Sequence, residues 1–592
     1  MRAEAVLSAT ALLIGLMVPG LAAGDDVILR AMNDELARSM KSLQMGELSK
    51  PYFISYRVDD VAELETAASF GSLLSSDLRR VRRLTVELRV GDRSLDNTNF
   101  LSMPDFGGGA LLPLEDDYQE LRRKLWLATD AAYKQALEDL SKKRATLQNK
   151  TRTDEIPDFS EERPATTVDE TPAPSLPDVA AADSLVRDLS RLFRDMPEVY
   201  LSSVRLRAST LVTRIVTSEG TRVIRTTPEV RLAATASTQA DDGMPLQDFV
   251  AAYGRTFADL PARDELARQI VDMGQRLTEL RRAPLLETYN GPVLVEGQAA
   301  AEVLVQALVP RLLAARVPVA DNPQLEMFMQ AQQESSFVDK IGARVLPRFL
   351  DLVDDPTLTE LDGSPLLGGY SADDDGVPAR ATTLVQRGVL KTLLATRTPV
   401  RGITSSTGNR RGASAAPSNL LVSPSQGMPP EALRQELLAL VAERELPFGV
   451  IVRRIGNPML GKDDDPWASI MSLMSPRGGE AAVQPVVAAF KVYPDGREEL
   501  VRDVLFGDVG ADSFKDIVAV SEGRGVHTMP LAASGPSLMT MVFAIWGGPG
   551  NDAPLVSVVT PSLLFEDLTL KKPSGEIPKP PVAPHPAFAA AR

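Results

Sequence analysis

No cysteine occurs anywhere in the 592 residues, so whatever this chain folds into is held without disulfides and without thiolate-bound metal. A thiolate nucleophile is excluded by the same count. Length then sets the scale. At about 150 residues per domain, a chain of this size divides into three or four folded units. Histidine is almost as scarce, with only His527 and His585 present. His585 stands in a proline-rich tail, which leaves at most one histidine for folded structure. A zinc site takes three or four ligands, usually with histidine or cysteine among them, so conventional zinc chemistry is nearly excluded by counting. Hydrophobic residues make up 44% and charged residues 24%, as in an average soluble globular protein, which confines disorder to local segments. The net charge of -15 repels nucleic acid and anionic membrane surfaces.

The N-terminus reads as a targeting segment. Arg2 supplies a short basic start, residues 5–18 are largely apolar, Pro19 and Gly20 break the run, and Ala22 and Ala23 offer small residues for cleavage. The run is shorter than the ~20 residues of a spanning helix, so we expect a signal peptide over 1–23, an exported protein in the periplasm or outside the cell, and no stable membrane span.

Periodicity orders the rest as an α+β, multi-domain chain, with an N-terminal α/β domain followed by a β-rich C-terminal domain. Residues 27–43 read as a helix and 51–58 as a strand. Along 84–90, Leu84, Val86, Leu88 and Val90 face one way and Thr85, Glu87 and Arg89 the other. From Tyr118 to Leu140, apolar residues recur at spacings of three and four, a helical stripe. Residues 204–236 read as strands around a turn at Ser218, Glu219 and Gly220. Helices are expected over 245–260, 263–282, 299–315 and 431–444, and strands over 448–455 and 555–560. Hairpins are expected at 383–393 and at 486–504, the second around Pro494-Asp495-Gly496. The expected units are an N-terminal α/β domain (24–110), a helical insertion (111–150), a proline-rich acidic linker (151–182), a middle α+β domain (183–290), a β-rich C-terminal domain (291–570) and a disordered tail (571–592).

Four clusters carry candidate chemistry. Asp373, Asp374 and Asp375 before Gly376, with Asp354 and Asp355 upstream, offer oxygen ligands for a hard cation, or simply a turn. The loop Ser405 to Gly412, with Arg410 and Arg411, suits an anion or a peptide carboxylate, or is a flexible surface loop. His527 is the one plausible base for a serine or threonine nucleophile, and no nucleophile-elbow sequence accompanies it; a serine–lysine pair stays open. Finally, Asn290 to Gly297 reads as a strand and turn opening a helix.

Taken in order, these segments resemble the TldD/PmbA family of metallopeptidase-related proteins. The resemblance rests on Gly291-Pro-Val-Leu-Val-Glu-Gly297 with its alanine-rich helix, Val353-Asp-Asp-Pro-Thr357, Asp374-Asp-Gly-Val-Pro378, the Leu384 to Leu390 segment and Ser406-Thr-Gly-Asn-Arg410. Gly91 to Asn97 and Pro561 to Phe565 match at the two ends. Catalytic relatives carry His-Glu-x-x-x-His on this helix, two histidines ligating zinc and the glutamate acting as general base, with a later cysteine ligand. Here those positions read Glu296, Gly297 and Ala301. The resemblance therefore implies no catalytic residue, no metal and no cofactor in this chain, and the metal-free TldE (PmbA) branch, whose members pair with a catalytic TldD subunit. It implies a non-catalytic role in degrading unfolded peptide or protein, with Asp374, Asp375, Thr407, Asn409 and Arg410 as candidates to line a substrate groove. The alternatives are a scaffold or binding protein on the same fold, and a stand-alone peptidase with an unrecognised site.

Overall fold

Two long antiparallel hairpins organise the first half of the chain. The structure is a computed structural model describing residues 26–573 except 102–109, 149–154, 170–172, 323, 325, 328–336, 461–482, 508, 511 and 532–552. The expected signal peptide (1–23) and nearly all of the expected tail lie outside the described residues. Strand β1 (Pro51–Ser69) pairs along its length with β2 (Ser72–Val90). They join through Phe70 and Gly71, at φ 44° and 78°, as a two-residue turn with both central residues left-handed requires. The second hairpin is β3 (Leu201–Thr217) and β4 (Arg222–Gln239). β1 pairs with β3 from Ser55 opposite Thr217 to Ala68 opposite Val204. β5 (Pro245–Gly254) pairs with β4, and two short strands complete a seven-stranded sheet.

Side chains alternate across this sheet, and the alternation divides its labour. Even-numbered residues of β1 enter the cores. Ile54, Tyr56 and Val58 pack against helices α1 (Val27–Ser42) and α2 (Tyr118–Gln148), meeting Leu121, Leu125 and Tyr133. Further along the same strand, Leu64 and Ala68 share a core with helices α3 (Val179–Arg191) and α4 (Arg263–Arg282) through Val186, Ile270 and Met273, and with Phe193 of the 3-10 turn after α3. Each fully buried large apolar side chain contributes about 1.5–3 kcal/mol. The odd-numbered face is polar. Arg57 lies opposite Thr85 and Ile215, and Arg225 lies opposite Thr213. That face meets the second half of the chain.

The second half is built on an eleven-stranded sheet. Its longer members are β6 (Tyr289–Val295), β7 (Leu350–Asp354), β8 (Thr382–Gln386), β9 (Asn419–Pro424), β10 (Gly449–Ile455), β11 (Val486–Val492), β12 (Glu498–Val501), β13 (Ile517–Pro530) and β14 (Leu555–Lys571). β14 is the hub, pairing with β13, β9 and β6. β6 is buried on both faces. Val293 and Val295 enter the main core, while Leu294 meets Leu433 and Leu437 of helix α6 (Pro430–Glu443). This explains its unbroken apolar sequence. Helix α5 (Gly297–Val303) follows β6 directly. Among the described residues, no helix is long and apolar enough to cross a membrane. The architecture is α+β with a β-rich C-terminal region.

The structure departs from the sequence expectations in four places. Residues 245–254 are a strand, because pairing with β4 along the whole segment outweighs its weak helical period; Leu246, Val250 and Ala252 keep period two. The helix expected over 299–315 ends early. Leu304–Leu308 widens into a π turn and Val309–Leu312 tightens into a 3-10 turn, because Pro310 has no N–H for the Gln306 carbonyl. Residues 24–110 and 183–290, expected as separate units, share one sheet through the β1–β3 pairing. The expected solvated linker (151–182) is packed where described. Asp158, Phe159, Ser160 and Ala165 are buried, Thr166–Val168 pairs with β4, and α3 begins within it.

Candidate functional site

The helix that would carry a zinc site is ordered, and its chemistry is structural. Glu296 stands at the N-cap of α5, and its carboxylate accepts from Arg453 Nε at 3.0 Å. Gly297 takes the left-handed conformation at φ 54°, and Ala301 is fully buried. Only Glu296 of the three could ligate a cation, and its carboxylate is engaged. No group of three or more His, Cys, Asp or Glu side chains among the described residues is placed to hold a metal ion. The residues present do not fit zinc.

A hydrogen-bonded network occupies the same helix instead. The buried Glu302 accepts from Gln298 Nε2 at 3.1 Å, Asn457 Nδ2 at 2.9 Å and Gln306 Nε2 at 2.7 Å. Burial raises its pKa to about 7, despite those donors. Gln298 also exchanges hydrogen bonds with the Ile455 backbone, and Gln306 bonds Gly456 and Gln484. These amides tie α5 to the end of β10. Sequence reading missed this group because Asn457 lies 155 residues from Glu302.

The five groove candidates come together in a different setting. The turn 373–376 and the loop 405–412 meet the polar face of the N-terminal sheet. Asp374 accepts from Arg57 Nη1 at 2.6 Å, from Arg225 and from the Gly412 N–H at 2.6 Å. Burial alone would raise its pKa, but the two guanidiniums hold it far below the usual carboxylate range. Asp375 accepts from Arg410 and from the Arg397 N–H. Arg410 also meets Glu87 at 3.2 Å, and Glu87, pushed up by burial, is brought down to about 2 by Arg89 and Arg410. Asn409 donates to Asp354 at 2.7 Å, and burial lifts Asp354 to about 6. Thr407 Oγ1 accepts from the Ala395 N–H at 2.8 Å. Asp375, Thr407 and Asn409 are 9%, 8% and 0% exposed. The expectation that these five line an open groove is therefore corrected. Asp374 and Arg410 engage the N-terminal sheet and Asp375 engages Arg410, forming a clamp between the two halves, while Thr407 and Asn409 are held within the second half by Ala395 and Asp354.

The clamp's partners, Arg57, Glu87 and Arg225, escaped sequence reading. Their signal was there as charge alternating with apolar residues along strands, but nothing local says which loop those charges meet. Asp373 is likewise spoken for, accepting the N–H groups of Asp375, Val377 and Arg410, with its pKa raised by burial and by Asp375. His527 lies in β13, opposite Val558, with its pKa lowered by burial. It makes no hydrogen bond to a described residue that would pair it with a nucleophile.

Comparison with known proteins bears on this arrangement. The family model of the PmbA/TldA metallopeptidase C-terminal domain matches residues 288–449, which hold β6, α5 and both clamp loops. Over that segment the chain is similar to the PmbA/TldA metallopeptidases. Solved structures share the fold across nearly all of the chain. TldE from Thermococcus kodakarensis superposes with a TM-score of 0.55 at 14% identity, covering 91% of this chain and 100% of that one. A candidate modulator of DNA gyrase from Thermotoga maritima gives 0.56 at 15% identity, over 91% of this chain and 99% of that one. At this identity the likeness is one of fold. A metalloprotease of Methanocaldococcus jannaschii is 34% identical over 90 residues, which is 15% of this chain and 19% of that protein's length. The matched domain thus begins at β6 and takes in α5.

Proposed function

We propose that this chain is a non-catalytic, TldE-like subunit of an exported peptidase assembly. It works beside a TldD-like subunit that carries the metal and hydrolyses unfolded peptide or protein. One observation carries the reading: at the positions of the family's ligands and general base stand Glu296, Gly297 and Ala301, with Glu296 held by Arg453 and Glu302 held by three amides. Without ligands there is no Lewis acid to polarise a carbonyl and no metal-bound water to attack it. Fold similarity to a TldE structure supports the same branch. The basic start, apolar run and small residues of 1–23 support export.

The experiment is a peptidase assay on unstructured substrates. The purified chain, with or without added zinc, hydrolyses nothing, and a TldD-like subunit from the same organism gains activity when the chain is added. Hydrolysis by the chain alone would instead point to an independent enzyme. A scaffold role on the same fold is favoured by the burial of Asp375, Thr407 and Asn409; it predicts that the chain binds the partner and leaves its rate unchanged.

A further inference from the structure

Residues 155–165 run through the joint between the two halves with no secondary structure of their own. They are held there as a bound peptide is held. The N–H groups of Asp158 and Phe159 donate to the Arg93 carbonyl at 2.8 and 3.2 Å, and that of Ser160 donates to the Arg397 carbonyl at 2.9 Å. The carbonyl of Ser160 accepts from Arg93 and Arg397 at 3.0 and 2.7 Å, and that of Pro157 accepts from Arg316 at 2.7 Å. Successive side chains enter separate sites. Asp158, fully buried, pairs with Lys143 and with Arg316 at 3.2 Å. The ring of Phe159 lies between two guanidiniums, with Arg89 at 3.6 Å and Arg397 at 3.8 Å from its centre. Beyond them, Glu162 accepts the Ser406 N–H at 2.6 Å.

Three features distinguish this from ordinary core packing. Phe159 belongs to none of the hydrophobic clusters of the described residues; its ring meets Phe53 at 4.8 Å between centroids, and cations stack against it at shorter range. The cleft is lined from both halves, by Arg89, Arg93 and Lys143 on one side and Arg316 and Arg397 on the other. The segment is its electrostatic complement, because Glu155, Asp158, Glu161 and Glu162 fall within residues 155–162 and no basic residue does. Backbone pairing for affinity, with separate side-chain sites for selectivity, is how extended peptides are recognised.

We infer that this cationic cleft is a peptide-binding site for extended acidic segments carrying an aromatic residue directly after a carboxylate, and that residues 155–162 occupy it in cis. A tethered occupant acts at an effective concentration on the order of millimolar, so it shuts out weaker peptides and yields to a stronger one or to separation of the two halves. The Arg397 N–H also donates to Asp375 at 3.2 Å, which places the cleft against the clamp. The proposal extends the peptide-handling reading to the ligand's chemistry, but it is read by binding alone, so loss of the partner-dependent activity would leave it standing.

The test uses the full chain, its Phe159→Ala variant and a fluorescent synthetic peptide with the sequence of residues 155–165. By anisotropy, the peptide binds the variant at least tenfold more tightly than the unaltered chain, and the same peptide with alanine in place of its phenylalanine binds neither. Equal binding to both proteins, or none to either, would overturn the proposal. The unaltered chain gives a second reading that needs no variant. Millimolar peptide accelerates hydrogen exchange at the amides of Asp158, Phe159 and Ser160 without changing that of β1 and β2. Exchange at those three amides that peptide does not alter would make the segment a permanent staple and the inference wrong.

Discussion

A carboxylate buried between two guanidiniums is costly to create and costlier to break. Asp374 is in that position, with Arg57 and Arg225 both reaching it across the joint. Desolvating three charges offsets much of their attraction, so the clamp adds little net stability over an apolar equivalent. Removing one member is another matter, since the others stay buried without compensation. Asp374→Ala lowers the unfolding free energy by about 3–5 kcal/mol, measured by urea denaturation; a loss below ~1 kcal/mol would remove the clamp from the account. The pH dependence follows in sign. The folded-state pKa of Asp374 is depressed, so the folded chain binds fewer protons there than the unfolded one. Its contribution is complete above the unfolded value near about 3.9 and is lost as pH falls below it. The variant's deficit therefore narrows in acid, and Glu87, brought down to about 2, behaves in the same sense.

Among elements, the turn 373–376 sets how closely the halves approach. Gly376 sits at φ 71°, and a Cβ there would lie 2.5 Å from the Thr221 methyl of the N-terminal sheet. Gly376→Ala combines a left-handed alanine, costing about 1–2 kcal/mol, with a clash between the halves. We expect a lower Tm and faster proteolysis, with Thr221→Ser in the same chain recovering part of the loss; no recovery would mean that backbone strain alone is responsible. Elements of this kind mark the limit of what sequence makes legible. The stripe of α4 and the alternation of β2 report local burial, so they could be read directly. Residues 245–254 could not, because β4 makes them a strand. The same holds at the site. The motifs drew attention to Asp374, Asp375, Thr407, Asn409 and Arg410, and the structure does gather them. Their role was hidden because Arg225 lies 149 residues from Asp374, and Glu87 323 residues from Arg410. Residues 155–169 misled for a related reason: proline and acid read as solvated until the opposing arginines are placed.

At the scale of the whole molecule, one polar sheet face and one β-rich domain are joined by buried charge, with a segment of the chain threaded between them. Helix α5 opens the domain matched by the family model, and Glu302 with three amides anchors it beside the end of β10. The non-catalytic role proposed above places the chemistry on a second subunit. Native mass spectrometry of the protein, purified untagged from its own organism, tests this most directly. The account predicts a complex with a second, distinct TldD-like chain, with bound metal dissociating with that chain and not with this one. A bare monomer or homo-oligomer, or metal that stays with this chain, would contradict it.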